Sequence, residues 1–225
     1  MKTTILILSL LLHHAASFCY EITPMYQEMN EFGRKALTSY TINNTQDRSL
    51  PVEIVVYDVG YDESGEVLTL NEDSFLILPP QIMVNPLSSQ KIRVRYIPSD
   101  ALTTTKLYRI EFNELEVEGQ EDKESKIKTL LSFSTLAFVS PNALEPTMKT
   151  SLKDNNIIVV ENTSKVLVNL LQSVFELQTS DGKKDLPWNE IDTKTSGYLM
   201  PGAPAYYPIP KALSNVTGVY IKQEK

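Results

Sequence analysis

The residue types that carry most enzyme chemistry are scarce in this sequence, and their positions limit them further. Both histidines, His13 and His14, lie near the N-terminus, in MKTTILILSLLLHHAAS. That stretch has a positive head at Lys2, an apolar core over 5–12 and small residues at Ala15-Ala16-Ser17, so it reads as a removable signal peptide, residues 1–17. Removing it leaves no histidine, which eliminates Ser–His and Cys–His pairs, histidine general bases and nearly all zinc sites. Cys19 is the only cysteine, so no intrachain disulfide is expected. Carboxylates are plentiful, among them Asp58, Asp62, Glu63 and Asp73, but they fall in turn-like segments and suggest no acid–base pairing. There is no Gly-rich phosphate loop, so no nucleotide, cofactor or metal is expected. A net charge of −7 argues against nucleic acid, which needs a basic stripe. What remains is the chemistry of the main chain itself.

That chemistry concentrates in KIKTLLSFSTLAFVSP, residues 126–141. The segment reads as a β-strand, rich in β-branched and aromatic residues with no Gly or Pro until Pro141. One face carries Ile127, Thr129, Leu131, Phe133, Thr135, Ala137 and Val139; the other carries Lys128, Leu130, Ser132, Ser134, Leu136 and Phe138. Both are largely apolar, although an acidic segment, EVEGQEDKES, comes just before. Three arrangements satisfy such a strand: burial on both faces at the centre of a sheet, an apolar seam between two copies, or an edge lent to another protein.

The elements around it are also strands. Runs at 20–29, 36–42, 51–61, 66–70, 75–84, 90–97, 106–117 and 126–139 are separated by turn chemistry such as NNTQDRS, YDESGE and NPLSS. Many short strands at this spacing are the mark of a sandwich. In KIRVRYI, Ile92, Val94 and Tyr96 share one face; in LYRIEFNEL, Tyr108, Ile110 and Phe112 do, while Leu107, Arg109, Glu111 and Asn113 face the other way. One buried and one wet face is what an antiparallel sheet on a core requires. Composition shifts at SPNALEPT, 140–147, after which a shorter strand set follows: 156–161, 165–177, 197–199, 205–209 and 218–222. The sequence therefore divides into 18–141 and a smaller β-domain, 142–225.

SFLILPPQIMVNPLSSQKIRVRYIP, 74–98, resembles the signature of periplasmic pilus chaperones: an aromatic-aliphatic strand, Pro-Pro, an apolar strand, a Pro before a tight turn, and a strand with an Arg. LYRIEFNEL looks like that family's strand F, and the strand ending at Pro141 like its strand G. In the second domain, VVENTSKVLVNL and YLMPGAPAYYPI resemble its Asn-x-Thr turn and Met-Pro-Gly strand. The YRI and YLMPG forms look closest to the archaic and alpha-type branch. The resemblance implies an all-β chain of two immunoglobulin-like β-sandwich domains set at an angle. It also implies a chaperone that binds fimbrial (pilin) subunits, completes their unfinished sandwich with its own strand G and delivers them to an outer-membrane usher. Donor-strand complementation between chaperone and pilin is a recognised case of strand addition. On this reading Ile127, Thr129, Leu131 and Phe133 are the lent side chains, on the face turned away from the protein's own core. The opposite phase, led by Leu130, stays open if a bulge shifts the register. Self-association through strand G is also open when no subunit is bound.

The family anchors the subunit's C-terminal carboxylate between the domains with two basic residues, an Arg early in strand A and a Lys in strand G. This sequence departs from that pattern: 20–29 holds no basic residue, and Leu136 stands near the expected Lys. With strand G running toward the second domain and F antiparallel to it, Arg93, Arg95, Lys106 and Arg109 fall toward the cleft end. Arg109 is the first candidate for the anchor, with Arg93 and Arg95 behind it, since guanidinium forks suit carboxylates. The competing expectation is that these are solvated charges paired with Glu111 or Glu114. A pilus subunit or adhesin is the alternative function, though it predicts a missing final strand. A hydrolase is a third. The Asn-x-Thr/Ser triplets at Asn43, Asn162 and Asn215 match glycosylation acceptors, idle in a bacterial periplasm.

Overall fold

The structure is a computed structural model, and it describes residues 20–98, 100–116, 130–191, 196–202, 204–213 and 215–222. The expected signal peptide, Cys19, Ile127 and Thr129 lie outside the described residues. Among the described residues, ten strands build the first sandwich: β1 (Tyr20–Thr23), β2 (Tyr26–Asn30), β3 (Leu37–Asn44), β4 (Leu50–Asp62), β5 (Gly65–Leu70), β6 (Phe75–Leu78), β7 (Gln81–Val84), β8 (Ser89–Tyr96), β9 (Lys106–Glu114) and β10 (Ser132–Ser140). One sheet has the order β1-β3-β8-β6 and the other β2-β10-β9-β4-β5, with β7 on β4. Between them lies one core, in which Tyr40, Ile42, Ile92 and Val94 face Val52, Val56, Tyr108, Ile110 and Phe112. The alternation read from KIRVRYI and LYRIEFNEL is the alternation observed.

Two runs expected as single strands are broken, each at proline. Proline has no N–H to give to a ladder. Pro79-Pro80 separates β6 from β7, which join different sheets. Pro24 separates β1, antiparallel to β3, from β2, which pairs parallel with β10. The N-terminal strand thus changes sheet halfway along.

The second sandwich contains β11 (Met148–Lys153), β12 (Ile157–Asn162), β13 (Val168–Asn169), β14 (Val174–Thr179), β15 (Gly182–Pro187), β16 (Tyr198–Leu199), β17 (Pro204–Pro208) and β18 (Val216–Lys222). They form sheets β11-β12-β17, β13-β16 and β15-β14-β18 around a separate core that includes Ile158, Leu170, Phe175, Leu177 and Trp188. The run at 165–177 is also two strands, divided by a turn in which Ser173 N–H donates to Leu170 O (2.9 Å). Neither β11 nor β15 was expected; both are edge strands, and their lysines and small polar residues mask any alternation.

Each sandwich fixes the turn after its second-layer strand with a buried asparagine. Asn44 Nδ2 lies 2.8 Å from Arg48 O and 3.0 Å from Asn85 O, while its Oδ1 accepts from Gln46 N–H at 3.0 Å. Asn162 repeats this: Nδ2 donates to Val166 O and Leu199 O, both at 2.8 Å, and Oδ1 accepts from Ser164. Asn162 is therefore a framework residue whose amide is fully used, although it heads a glycosylation triplet.

Candidate functional site

The sheet change at Pro24 determines what covers β10. On one side β10 pairs along its whole length with β9, from Ser132↔Asn113 to Val139↔Lys106. On the other side β2 pairs only with 136–140. Among the described residues no strand covers 132–135 on that side. Leu136 N–H donates to Met25 O at 2.9 Å, so even-numbered residues of β10 direct their main-chain groups outward. Ser132 and Ser134 therefore present backbone donors and acceptors at an open edge.

Along the same strand the side chains change environment. Thr135, Ala137 and Val139 are buried in the first core, and Phe133 and Leu131 are half-buried against it. Tyr20 supports them from below: its ring meets Phe133 edge-on at 4.6 Å, and its hydroxyl lies 2.6 Å from Phe112 O and 3.0 Å from Leu131 O. This corrects the expectation that Leu131 and Phe133 face away from the protein's own core. They share the phase of Ala137 and Val139, and burial falls along that one face toward the N-terminal end. The opposite face is closed differently. Leu130 is exposed, whereas Phe138 is buried under Tyr198 of the second domain, the rings stacked at 5.0 Å and 27°. Tyr26 packs on the same Tyr198 at 5.2 Å. The preceding Gly197 has φ +76°, and a Cβ there would lie 2.9 Å from Leu171 Cδ2 and 3.0 Å from Trp188 within the second domain.

The domains are also clipped by neutral hydrogen bonds. Thr105 N–H donates to Lys165 O (2.9 Å), and Leu167 N–H donates to Thr105 Oγ1 (2.8 Å). Buried Glu31 holds the connecting chain, accepting from Leu102 N–H (2.7 Å) and Asn142 N–H (3.2 Å). Beside this junction is a cleft of about 510 Å³ lined by Asp58, Val59, Tyr61, Thr105, Lys106, Leu107, Met200 and Pro201.

The three candidate arginines do not converge. Arg109 pairs in register with Leu136 and Tyr57, on the sheet face away from the core, and follows Leu107 of the cleft by one strand repeat, about 7 Å. Its guanidinium bonds Glu66 Oε1 at 2.5 Å, while its Nε is buried with no hydrogen-bond partner among the described residues. The pairing carboxylate is thus Glu66 on β5, not Glu111 or Glu114. Arg93 and Arg95 are exposed on the outer face of the other sheet, in a row with Lys91 and flanked by Leu37, Leu76 and Leu78. Sequence reasoning named Glu114 only as a solvated partner for the arginines and missed its burial. It continues the inward phase of Tyr108, Ile110 and Phe112, so a carboxylate falling on an apolar face was the available signal.

The model of the pili and flagellar-assembly chaperone PapD N-terminal domain matches residues 30–145. No curated protein matches the chain. Among solved structures, the fold is similar to that of the class 5 fimbriae chaperone CfaA (TM-score 0.56, 10% identity, covering 91% of this chain and 98% of that one). It is likewise similar to a chain of the Salmonella enterica SafA pilin–SafB chaperone complex (0.54, 13%, 93% and 98%). A third match is a chain of a chaperone–tip adhesin complex of CFA/I fimbriae biogenesis (0.55, 13%, 90% and 93%). With two immunoglobulin-like sandwiches and a match over more than half its length, the chain belongs to the PapD family, the non-enzymatic periplasmic chaperones of chaperone–usher pilus assembly.

Proposed function

We propose that this chaperone captures fimbrial subunits by donor-strand complementation through β10 and the segment before it, and passes them to an outer-membrane usher. The observation that carries this is the sheet change at Pro24, which leaves 132–135 paired on one side only. A subunit strand added there gains main-chain hydrogen bonds from Ser132 and Ser134. Ile127, Thr129, Leu131 and Phe133 are the lent residues. Leu131 and Phe133 share the face that closes the chaperone's own core at Ala137 and Val139, and Ile127 and Thr129 continue the same alternation in the sequence. The complex of the SafA pilin with the SafB chaperone and the chaperone–tip adhesin complex of CFA/I fimbriae support subunit binding here. A pilus subunit would lack its closing strand, which this chain has in β10.

Arg109 is the proposed anchor for the subunit's carboxylate, which would displace Glu66 and engage the unpartnered Nε. Arg93 and Arg95 lie on the opposite sheet and take no part in that anchor; their exposed basic and apolar face stays accessible to the usher while β10 is occupied. Residues 1–17 act as the signal peptide, and the domains run 18–141 and 142–225. By their YRI and YLMPG forms we read the chain as nearest the archaic and alpha-type chaperones. Without a subunit, the open edge is free to pair with a second copy.

The test is periplasmic co-expression with each subunit encoded beside it, followed by co-purification. Ile127→Asp with Thr129→Asp should abolish capture, because charges cannot enter an apolar groove, and Arg109→Ala should weaken it. If the double variant captures subunits as the parent does, strand donation by these residues is wrong.

A further inference from the structure

At the point where β10 begins, a buried carboxylate sits on the main chain of the proposed donor strand. Glu114 is 5% exposed, at the last position of β9, in the inward phase that Tyr108, Ile110 and Phe112 define. Its Oε1 meets Arg48 Nη2 at 2.5 Å, and its Oε2 is 3.4 Å from Leu131 N. Its own N–H donates to Leu131 O at 2.9 Å, the carbonyl that Tyr20 Oη also approaches at 3.0 Å. Both main-chain groups of Leu131 are thereby held. A charge buried at a core's edge is expensive unless paired, and a neutral side chain would close this end of the sandwich at lower cost. Nothing in the core itself calls for a carboxylate there. The Arg48 side chain is 45% exposed, so the pair reaches from solvent to the strand through a single buried group.

We propose that Glu114, held by Arg48, is a positioning residue that fixes where the donor strand leaves the sandwich, and so which residues before Leu131 reach the guest. This rests on the strand-donation reading. With the ion pair in place, Leu131 is locked in register opposite Glu114, and the side chains ahead of it arrive at the guest groove in one phase. Without it, the strand detaches from β9 further along, and the register of the lent residues is no longer set. Only capture depends on that register; the sandwich below Phe133 does not.

The experiment uses the full chaperone and whichever subunit co-purifies with the parent. Glu114→Gln keeps shape and an acceptor oxygen but removes the charge. Losing a charge-assisted contact at the strand's origin should lower capture about tenfold or more. Amide exchange should rise at Leu131 and Phe133, the two amides of this stretch that point toward β9, but not across β4, β8 and the rest of β9, a local signature that general destabilisation does not produce. If Glu114→Gln fails to fold, Arg48→Gln carries the test with the same expectations. A folded variant that captures the subunit at the parental level, with parental exchange at Leu131 and Phe133, overturns the proposal. If the parent captures no subunit at all, strand donation itself has failed, an outcome distinct from failure of the Glu114 role.

Discussion

The two halves of β10 are continuous in sequence, share one apolar phase and pair with the same neighbour, yet they live in different environments. Residues 136–140 are walled by β9 on one side and β2 on the other, with Ala137 and Val139 in the core and Phe138 under Tyr198. Residues 132–135 have β9 alone. The cause lies in neither half. It lies at Pro24, where the N-terminal strand abandons this edge for the other sheet. The protein therefore leaves a strand edge open by withdrawing a neighbour rather than by altering the strand, and Tyr20 and Glu114 hold it at Leu131 and Phe133. Free edges invite unwanted pairing. Among the described residues the opening spans 132–135, and the rest of β10 is paired with β2.

A charge placed on the apolar phase separates the halves most sharply. Val139→Asp puts an unpaired carboxylate in a fully enclosed apolar site and should cost about 4 kcal/mol or more, a large fraction of a domain's whole stability. The double Asp change at 127 and 129 should leave the melting temperature of the free chaperone within a few degrees of the parent while abolishing capture. Thermal unfolding of both variants checks this; comparable losses in the two would mean that the phase has one role along its whole length.

Much of this architecture was legible beforehand, and the reasons for the exceptions are specific. Alternation placed Ile92, Val94, Tyr96, Tyr108, Ile110 and Phe112 inward, and all six are buried. Periodicity reports which side chains share a face; it does not report which strand lies alongside. So 20–29 and 75–84 read as single strands although prolines divide them between sheets, and Leu131 and Phe133 were given a face of their own. The arginines were placed by strand direction alone, which finds the right end of a strand but not the right sheet; hence Arg93 and Arg95 turned out to lie on the far side from β10. Asn44 and Asn162 gave no signal because a buried, saturated amide looks the same in sequence as a solvated turn residue.

Alkaline titration sharpens the comparison from the core beneath both halves. Burial pushes the Tyr40 hydroxyl up to about 12, and burial also raises Tyr96 and Tyr108, the latter further through its contact with Tyr96. A tyrosine whose folded pKa lies above its unfolded value near 10 stabilises the fold fully below pH 10, and that contribution is lost as pH rises through the folded value. For Tyr40 alone the loss between about pH 10 and 12 is roughly 2–3 kcal/mol. Tyr198, which covers Phe138, is raised as well, first by burial and then by Glu28 and Tyr26, so the wall over 136–140 weakens in the same direction. Stability of the free chaperone should therefore fall steeply above pH 10; Tyr40→Phe should flatten the slope. A stability curve level through pH 12 contradicts the burial of these hydroxyls.

The smallest effect on the fold is the most discriminating about function. Ser132→Pro removes a single N–H that, by the alternation fixed at Leu136, points outward from β9. No ladder bond of the chaperone is lost, and proline is tolerated at a strand edge when its missing donor faces solvent. Unfolding free energy should change by about 1 kcal/mol or less. A guest strand pairing along that edge loses a bond and meets the ring, so co-purification with the subunit should fall far more than stability does. Leu136→Pro reverses the pattern: it removes the bond to Met25 O and should weaken the free chaperone. If Ser132→Pro destabilises the free protein as much as Leu136→Pro does, the edge at 132–135 is already occupied, and the distinction between the two halves of the strand does not hold.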